Sequence, residues 1–193
     1  TPREKRALEL PRDRLDGMNL VSALNAETGT TCVVGAGGKK TTLAALAARL
    51  DRAVVTATVR IPIFDDWVER VIVTDDPVGV ARERLAADGS QSGGPAAGMW
   101  PLGLVPERER DDRYRGYDTS VVDALGELDV PVLVKADGAR MRRFKAPADE
   151  EPQVPRTADT VVSIASVHVV GEPLSESIVH RVDEVSKLTE LEP

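Results

Sequence analysis

The sequence holds one cysteine, two histidines and two residues each of tryptophan, tyrosine and phenylalanine. A single cysteine, Cys32, excludes an internal disulfide and any Cys-rich metal site. It falls in the first expected strand, where a buried apolar role suits it. His168 and His180 have no metal-ligand spacing to each other or to the cysteine, and surface or capping roles are expected. With aromatics at 3%, the core must be built from Val, Leu, Ile and Ala. The longest apolar runs are strand-sized, too short for a bilayer span, so no membrane partner is expected. The first residues, Thr1-Pro-Arg-Glu-Lys-Arg6, are not followed by an apolar segment. No secretory signal is therefore expected, and the expected location is cytoplasmic. Positive charge is short as well, with a formal net charge of −7, which argues against nonspecific nucleic-acid binding as the main role. Lysine is scarcer still: 6 against 19 arginines.

What remains is a globular composition, 41% hydrophobic and 30% charged over 193 residues. That is enough for one substantial core, and residues 1–193 are expected to form one domain, with 1–16 a short helix or an N-terminal arm. Strand-like and helix-like runs alternate. Strands are expected at 31–34, 53–58, 71–74, 99–105, 131–136 and 160–165, the last of them buried. Helices are expected from near Asn19, with Gly29 placed to end that one, over 43–50, 77–87 and 118–128, and over 183–191, and 171–181 reads as loop running into helix. Asp88 to Gly98, rich in Gly, Ser, Pro and Ala, reads as an exposed turn, and the charged run 106–116 as solvated surface. Such alternation predicts an α/β fold with a three-layer, mostly parallel sheet of the P-loop NTPase-like kind.

The chain is organised around Thr31-Cys-Val-Val-Gly-Ala-Gly-Gly-Lys-Lys-Thr-Thr-Leu43. An apolar strand runs into a Gly loop and then a helix. Glycines allow a tight turn with inward N–H groups, and a helix N-terminus adds positive potential, so a phosphate is well placed there. Gly35, Ala36, Gly37, Gly38, Lys39, Lys40, Thr41 and Thr42 are the candidate nucleotide-binding residues. The spacing departs from G-x-x-x-x-G-K-[ST]: Lys40 comes one residue early, and Lys39 stands where the last Gly belongs. Thr58 and Arg60, at the end of the second strand, are candidates for lining the same site.

The run Val132-Leu-Val-Lys-Ala-Asp137-Gly138 is an apolar strand delivering an acid at its tip. After a phosphate loop, such an acid is placed to hold Mg²⁺ against the phosphates. Asp137 is accordingly the candidate metal-proximal acid and, with Lys40, the candidate catalytic residue. Arg140, Arg142, Arg143 and Lys145 follow directly. They read as a solvated basic loop on charge alone, or as phosphate contacts through Arg140 and Lys145.

Three blocks together resemble the YqeC family of selenium-dependent hydroxylase accessory proteins. They are Val34 to Thr42, Lys135 to Arg140 with Lys145 to Pro152, and Gly171-Glu-Pro-Leu174 with His180-Arg181. The resemblance runs from about residue 18 to the C-terminus. It implies a phosphate-loop nucleotide-binding fold and a role in maturing molybdenum hydroxylases. The family usually reads Gly-Ala-Gly-Gly-Lys-Thr-Thr. The second lysine here leaves the phosphate-contacting residue open between Lys39 and Lys40, and the metal hydroxyl open between Thr41 and Thr42. The family often has Thr-Thr-Thr after its second strand and Glu-Ala-Asp-Gly at the acid. This chain has Thr56-Ala-Thr58 and Lys135-Ala-Asp-Gly138.

The expected function is thus an accessory protein that binds ATP or GTP with Mg²⁺ and hydrolyses it slowly. Thr41 and Asp137 are the expected metal contacts, and a molybdoenzyme client is the expected partner. A phosphoryl or nucleotidyl transferase acting on a small molecule, and a non-enzymatic scaffold, are the alternatives.

Overall fold

The computed structural model describes residues 19–89, 99–189 and Leu191. The expected arm at 1–16 and most of the Gly/Ser-rich turn after Asp88 lie outside the described residues.

Six strands form one sheet, and every pairing in it is parallel. They are β1 (Thr30–Gly35), β2 (Val54–Ala57), β4 (Arg70–Val73), β5 (Leu102–Val105), β7 (Val132–Lys135) and β9 (Ala158–Ile164). The spatial order is β4-β5-β2-β7-β1-β9. Four short strands form two outlying pairs: β3 (Ile61–Pro62) with β6 (Arg113–Tyr114), and β8 (Phe144–Lys145) with β10 (Val179–His180).

Period-2 alternation sorts the interior strands onto two buried faces. Val33, Val55 and Leu133 point to one face. There they meet Val21 of α1 (Leu20–Ala23) and Leu43, Leu46 and Ala47 of α2 (Lys39–Ala47). Cys32, Val34, Val54, Val132 and Val134 point to the other. That face is covered by Ala81 of α3 (Pro77–Gly89) and Val122 and Leu125 of α4 (Thr119–Gly126). The result is a three-layer α/β fold around an all-parallel sheet. Burial pushes the Cys32 thiol up to about 12, with Asp123 adding to it.

Three expectations need correction. The strand at 160–165 begins earlier, at Ala158, and is the sheet edge rather than a buried strand. Its residues alternate between half-buried and exposed, and Val161 is 51% exposed. The segment 171–181, expected as loop running into helix, contributes β10, which pairs in parallel with β8 inside the supposed basic loop. That pair and α5 (Val182–Thr189) enclose a third small core of Ala146, Val179, Val182 and Val185. The first helix is a single turn capped by Asn19, whose Oδ1 accepts from Val21 N at 3.0 Å. It ends at Ala23, well before Gly29.

Candidate functional site at the β1–α2 loop

Strands β1 and β7 lie side by side, with Cys32 level with Val134 and Val33 level with Lys135. Their carboxyl ends therefore emerge together, and the residues after them meet. Gly35 N donates to Asp137 Oδ2 at 2.8 Å. On the other flank, Ala36 N donates to the Ile164 carbonyl at the end of β9 at 2.7 Å. The backbone of Gly35 has φ +90°, and a Cβ there would stand 2.1 Å from the Ile164 oxygen. Gly37 has φ +83°, and its Cβ would stand 2.5 Å from Ser166 Cβ. Both positions need glycine for conformation and for room.

Beyond this clamp the N–H groups of Gly37, Gly38, Lys39 and Lys40 have no acceptor among the described residues. They are the unpaired donors that open a helix, and they cluster where its dipole is positive. The two lysines then part company. Lys39 is buried; its Nζ contacts Asp137 Oδ1 at 2.6 Å and donates to the Gly35 carbonyl. Burial pushes its ammonium below the ordinary range, against the pull of Asp137. Lys40 is half-buried and has no ion pair or side-chain hydrogen bond among the described residues. Thr41 is exposed, and Thr42 Oγ1 donates to the Gly38 carbonyl at 3.2 Å.

Around Asp137 the charges form one connected network. Lys145 Nζ, in a side chain only 4% exposed, reaches Asp137 Oδ2 at 2.9 Å, Gly138 O at 2.7 Å and Glu151 Oε2 at 2.6 Å. Arg181 holds the same Glu151 oxygen at 2.9 Å and donates to the Ala146 carbonyl at 2.9 Å. Burial raises the Glu151 carboxyl, but the bonds from Arg181 and Lys145 outweigh it and hold its pKa at about 2. Lys135, also buried, donates to the Arg60 carbonyl at 2.8 Å and the Asp137 carbonyl at 2.7 Å. Burial, then the nearby Lys39 charge, push it down to about 7.

The structure thus brings Gly35, Ala36, Gly37, Gly38, Lys39, Asp137 and Lys145 together. Thr58 stands beside them: its N–H donates to Lys135 O at 3.1 Å and its hydroxyl to Gln153 O at 2.6 Å. Lys40, Thr41 and Thr42 follow in the first turn of α2, and Arg60 and Arg140 lie apart from the network. The Arg60 side chain is exposed and forked onto Glu109 at 2.7–2.9 Å. Arg140 is exposed, with φ +45°. Lys145 corrects the solvated-loop reading of its segment, because β8 turns it inward. Lys135, Glu151 and Arg181 were not among the candidates. The one local signal for Lys135 was its place two residues before Asp137, and a Lys closing an apolar run is unusual enough to mark.

The donor set suits phosphate: free amides, a buried lysine and a cationic surround. Magnesium is served less well. Asp137 Oδ2 accepts from Gly35 and Lys145, while the buried Oδ1 accepts no hydrogen bond among the described residues and is covered only by the Lys39 ammonium in an ion pair at 2.6 Å. The residue after Lys39 is a lysine, not a hydroxyl. Among the described residues no cluster of three or more His, Cys, Asp or Glu could hold a metal ion, and no helix is long and apolar enough to cross a membrane.

No solved structure matches this chain. It is 29% identical to the uncharacterized protein YqeC of Escherichia coli (strain K12), over 93% of this chain and 68% of that protein. The family model described as YqeC protein matches residues 31–183. A match over that much of the sequence, carrying the Gly loop, the acid and the Glu151–Arg181 pair together, places the chain in the YqeC family.

Proposed function

We propose that this protein binds the phosphates of a nucleoside triphosphate at the β1–α2 loop. The observation that carries the reading is the run of unpaired N–H groups from Gly37 to Lys40 beside the buried ammonium of Lys39. An arriving phosphate would accept from those amides and take Lys39 from the Gly35 carbonyl and Asp137. Lys39 is the phosphate contact, and Lys40 an outer charge. Turnover would be slow, because the Asp137 side chain is only 4% exposed and is shut in by the ammonium groups of Lys39 at 2.6 Å and Lys145 at 2.9 Å, so a water has poor access to it as a general base.

The family resemblance extends this to a role beside molybdenum hydroxylases. Freeing Asp137 from Lys39 would alter Lys145, and Lys145 is covalently next to Phe144. Phe144, with Leu174, Ile178 and Val185, lines an apolar groove of about 440 Å³. Nucleotide state could reach a client through that single step along the chain.

Titration calorimetry with ATP and with GTP tests the reading. Binding that Lys39→Ala removes and Lys40→Ala leaves largely intact is expected. No binding of either nucleotide at millimolar concentration would overturn it. For the client, capture of a molybdenum hydroxylase that does not change with nucleotide would overturn the coupling.

A further inference from the structure

The network around Asp137 is unbalanced. Lys39, Lys135, Lys145 and Arg181 face Asp137 and Glu151, four cationic side chains against two carboxylates, a formal excess of two positive charges while Lys135 is protonated. Two is the charge of one divalent ion.

The lysines differ in what they have left to give. An ammonium has three donors. Lys145 spends all of them, on Asp137, Gly138 and Glu151. Lys39 makes one hydrogen bond, to the Gly35 carbonyl, and an ion pair with Asp137 Oδ1. Lys135 makes two hydrogen bonds, both to main-chain carbonyls, and no carboxylate lies within ion-pair distance of it among the described residues. It is 6% exposed. A buried cation with no ion-pair partner is costly unless an anion completes it. Lys39 and Lys135 both converge on Asp137, one on its carboxylate and the other on its carbonyl, and each keeps at least one N–H without an acceptor among the described residues.

A divalent ion has no comparable place. To reach Asp137 it would have to displace Lys39 or Lys145 and then sit among the remaining ammonium groups. The residue directly after Lys39 is a lysine, the Thr41 side chain is exposed to solvent, and the Thr42 hydroxyl is turned back onto Gly38.

We propose that this chain takes its polyphosphate as the metal-free anion, with Lys39 and Lys135 supplying from the protein the charge a bound divalent ion would otherwise bring. Asp137 is then a positioning residue for lysines. This rests on phosphate binding at the β1–α2 loop and says in which ionic form the ligand is held.

Calorimetry with ATP in excess EDTA, and again in excess magnesium, decides it. The affinity in EDTA is expected to equal or exceed that in magnesium. Lys135→Met should weaken binding in EDTA by about tenfold or more, as loss of a charge-assisted hydrogen bond does. Lys135→Glu would set a second carboxylate beside Asp137, and should make binding magnesium-dependent. Should the Lys135 variants fail to fold, the wild-type comparison still stands. Wild-type binding that disappears in EDTA and returns with magnesium would overturn the metal-free proposal while leaving phosphate binding intact. Absence of binding in both buffers would overturn both.

Discussion

Lys39 and Asp137 meet at 2.6 Å across the gap between the first turn of α2 and the tip of β7, with each side chain no more than 7% exposed. A buried pair of this kind is worth little against a hydrophobic replacement but is expensive to break from one side. Asp137→Asn keeps an acceptor for the Gly35 amide and leaves two buried lysines without their shared carboxylate. Denaturant unfolding should show a loss of about 3–5 kcal/mol. The exposed Arg60–Glu109 fork is the control, since Arg60→Ala should leave the unfolding midpoint close to wild type. Equal effects at the two places would refute the burial argument.

Lys135 makes stability depend on pH in the alkaline direction. Its folded pKa is pushed down to about 7, from 10.5 for a free lysine. Between those values the unfolded chain binds more protons, so stability rises with pH. The burial penalty is complete below about pH 7 and is relieved as the pH approaches 10.5. Unfolding free energy followed over that window should climb, and Lys135→Met should flatten the climb. A wild-type curve with no upward slope there would count against a buried charge.

Glu151 acts in the opposite direction. Its folded pKa lies at about 2, below the ordinary 4.5. The stability it contributes is present above pH 4.5 and lost as pH falls towards 2. Glu151→Gln should therefore unfold at higher pH than wild type during acid titration monitored by circular dichroism. It should also loosen the β8–β10 pair, since Lys145 and Arg181 both lose the Glu151 carboxylate and Lys145 keeps only Asp137. Identical acid midpoints would show that the pair is held by Phe144 and Val179 packing alone.

The glycines at the site can be told apart by one methyl group. Gly35→Ala would force a Cβ to 2.1 Å from the Ile164 oxygen at φ +90°. The conformational cost alone is on the order of 1 kcal/mol, and the clash with β9 adds to it. Gly138→Ala meets nothing within 4 Å. Thermal melts should show the first variant strongly destabilised or insoluble and the second close to wild type. A benign Gly35→Ala would mean that the β1–β9 register gives way easily.

The sheet was legible because its interior strands carry a strong local pattern. Val132 to Val134 and Val54 to Val55 are apolar on both faces, and only a strand covered on both sides needs that. The loop was legible because glycines, lysines and the onset of α2 stand in one short stretch. The edge position of β9 was not, since Val161 and Val162 look the same in sequence whether or not a neighbour covers them. The inward turn of Lys145 was also hidden. A lysine among arginines reads as solvated until Asp137 and Glu151 are seen to neutralise it. Lys135 stands out as a departure from the family's Glu, but its burial was hidden for a related reason: it depends on the carbonyls of Arg60 and Asp137, and no residue-type pattern announces a carbonyl. The choice between Lys39 and Lys40 could not be read either, because helical phase decides which of two adjacent lysines faces the sheet.

Because β1 is an interior strand, Gly35 and Ala36 are gripped from opposite sides, by the Asp137 carboxylate and the Ile164 carbonyl. The entrance to the turn is therefore welded to the sheet, and any breathing has to start at Gly37. On the proposed reading, an anion would be met by the peptide planes from Gly37 onward over this fixed base, with no need for strands to slide or layers to separate.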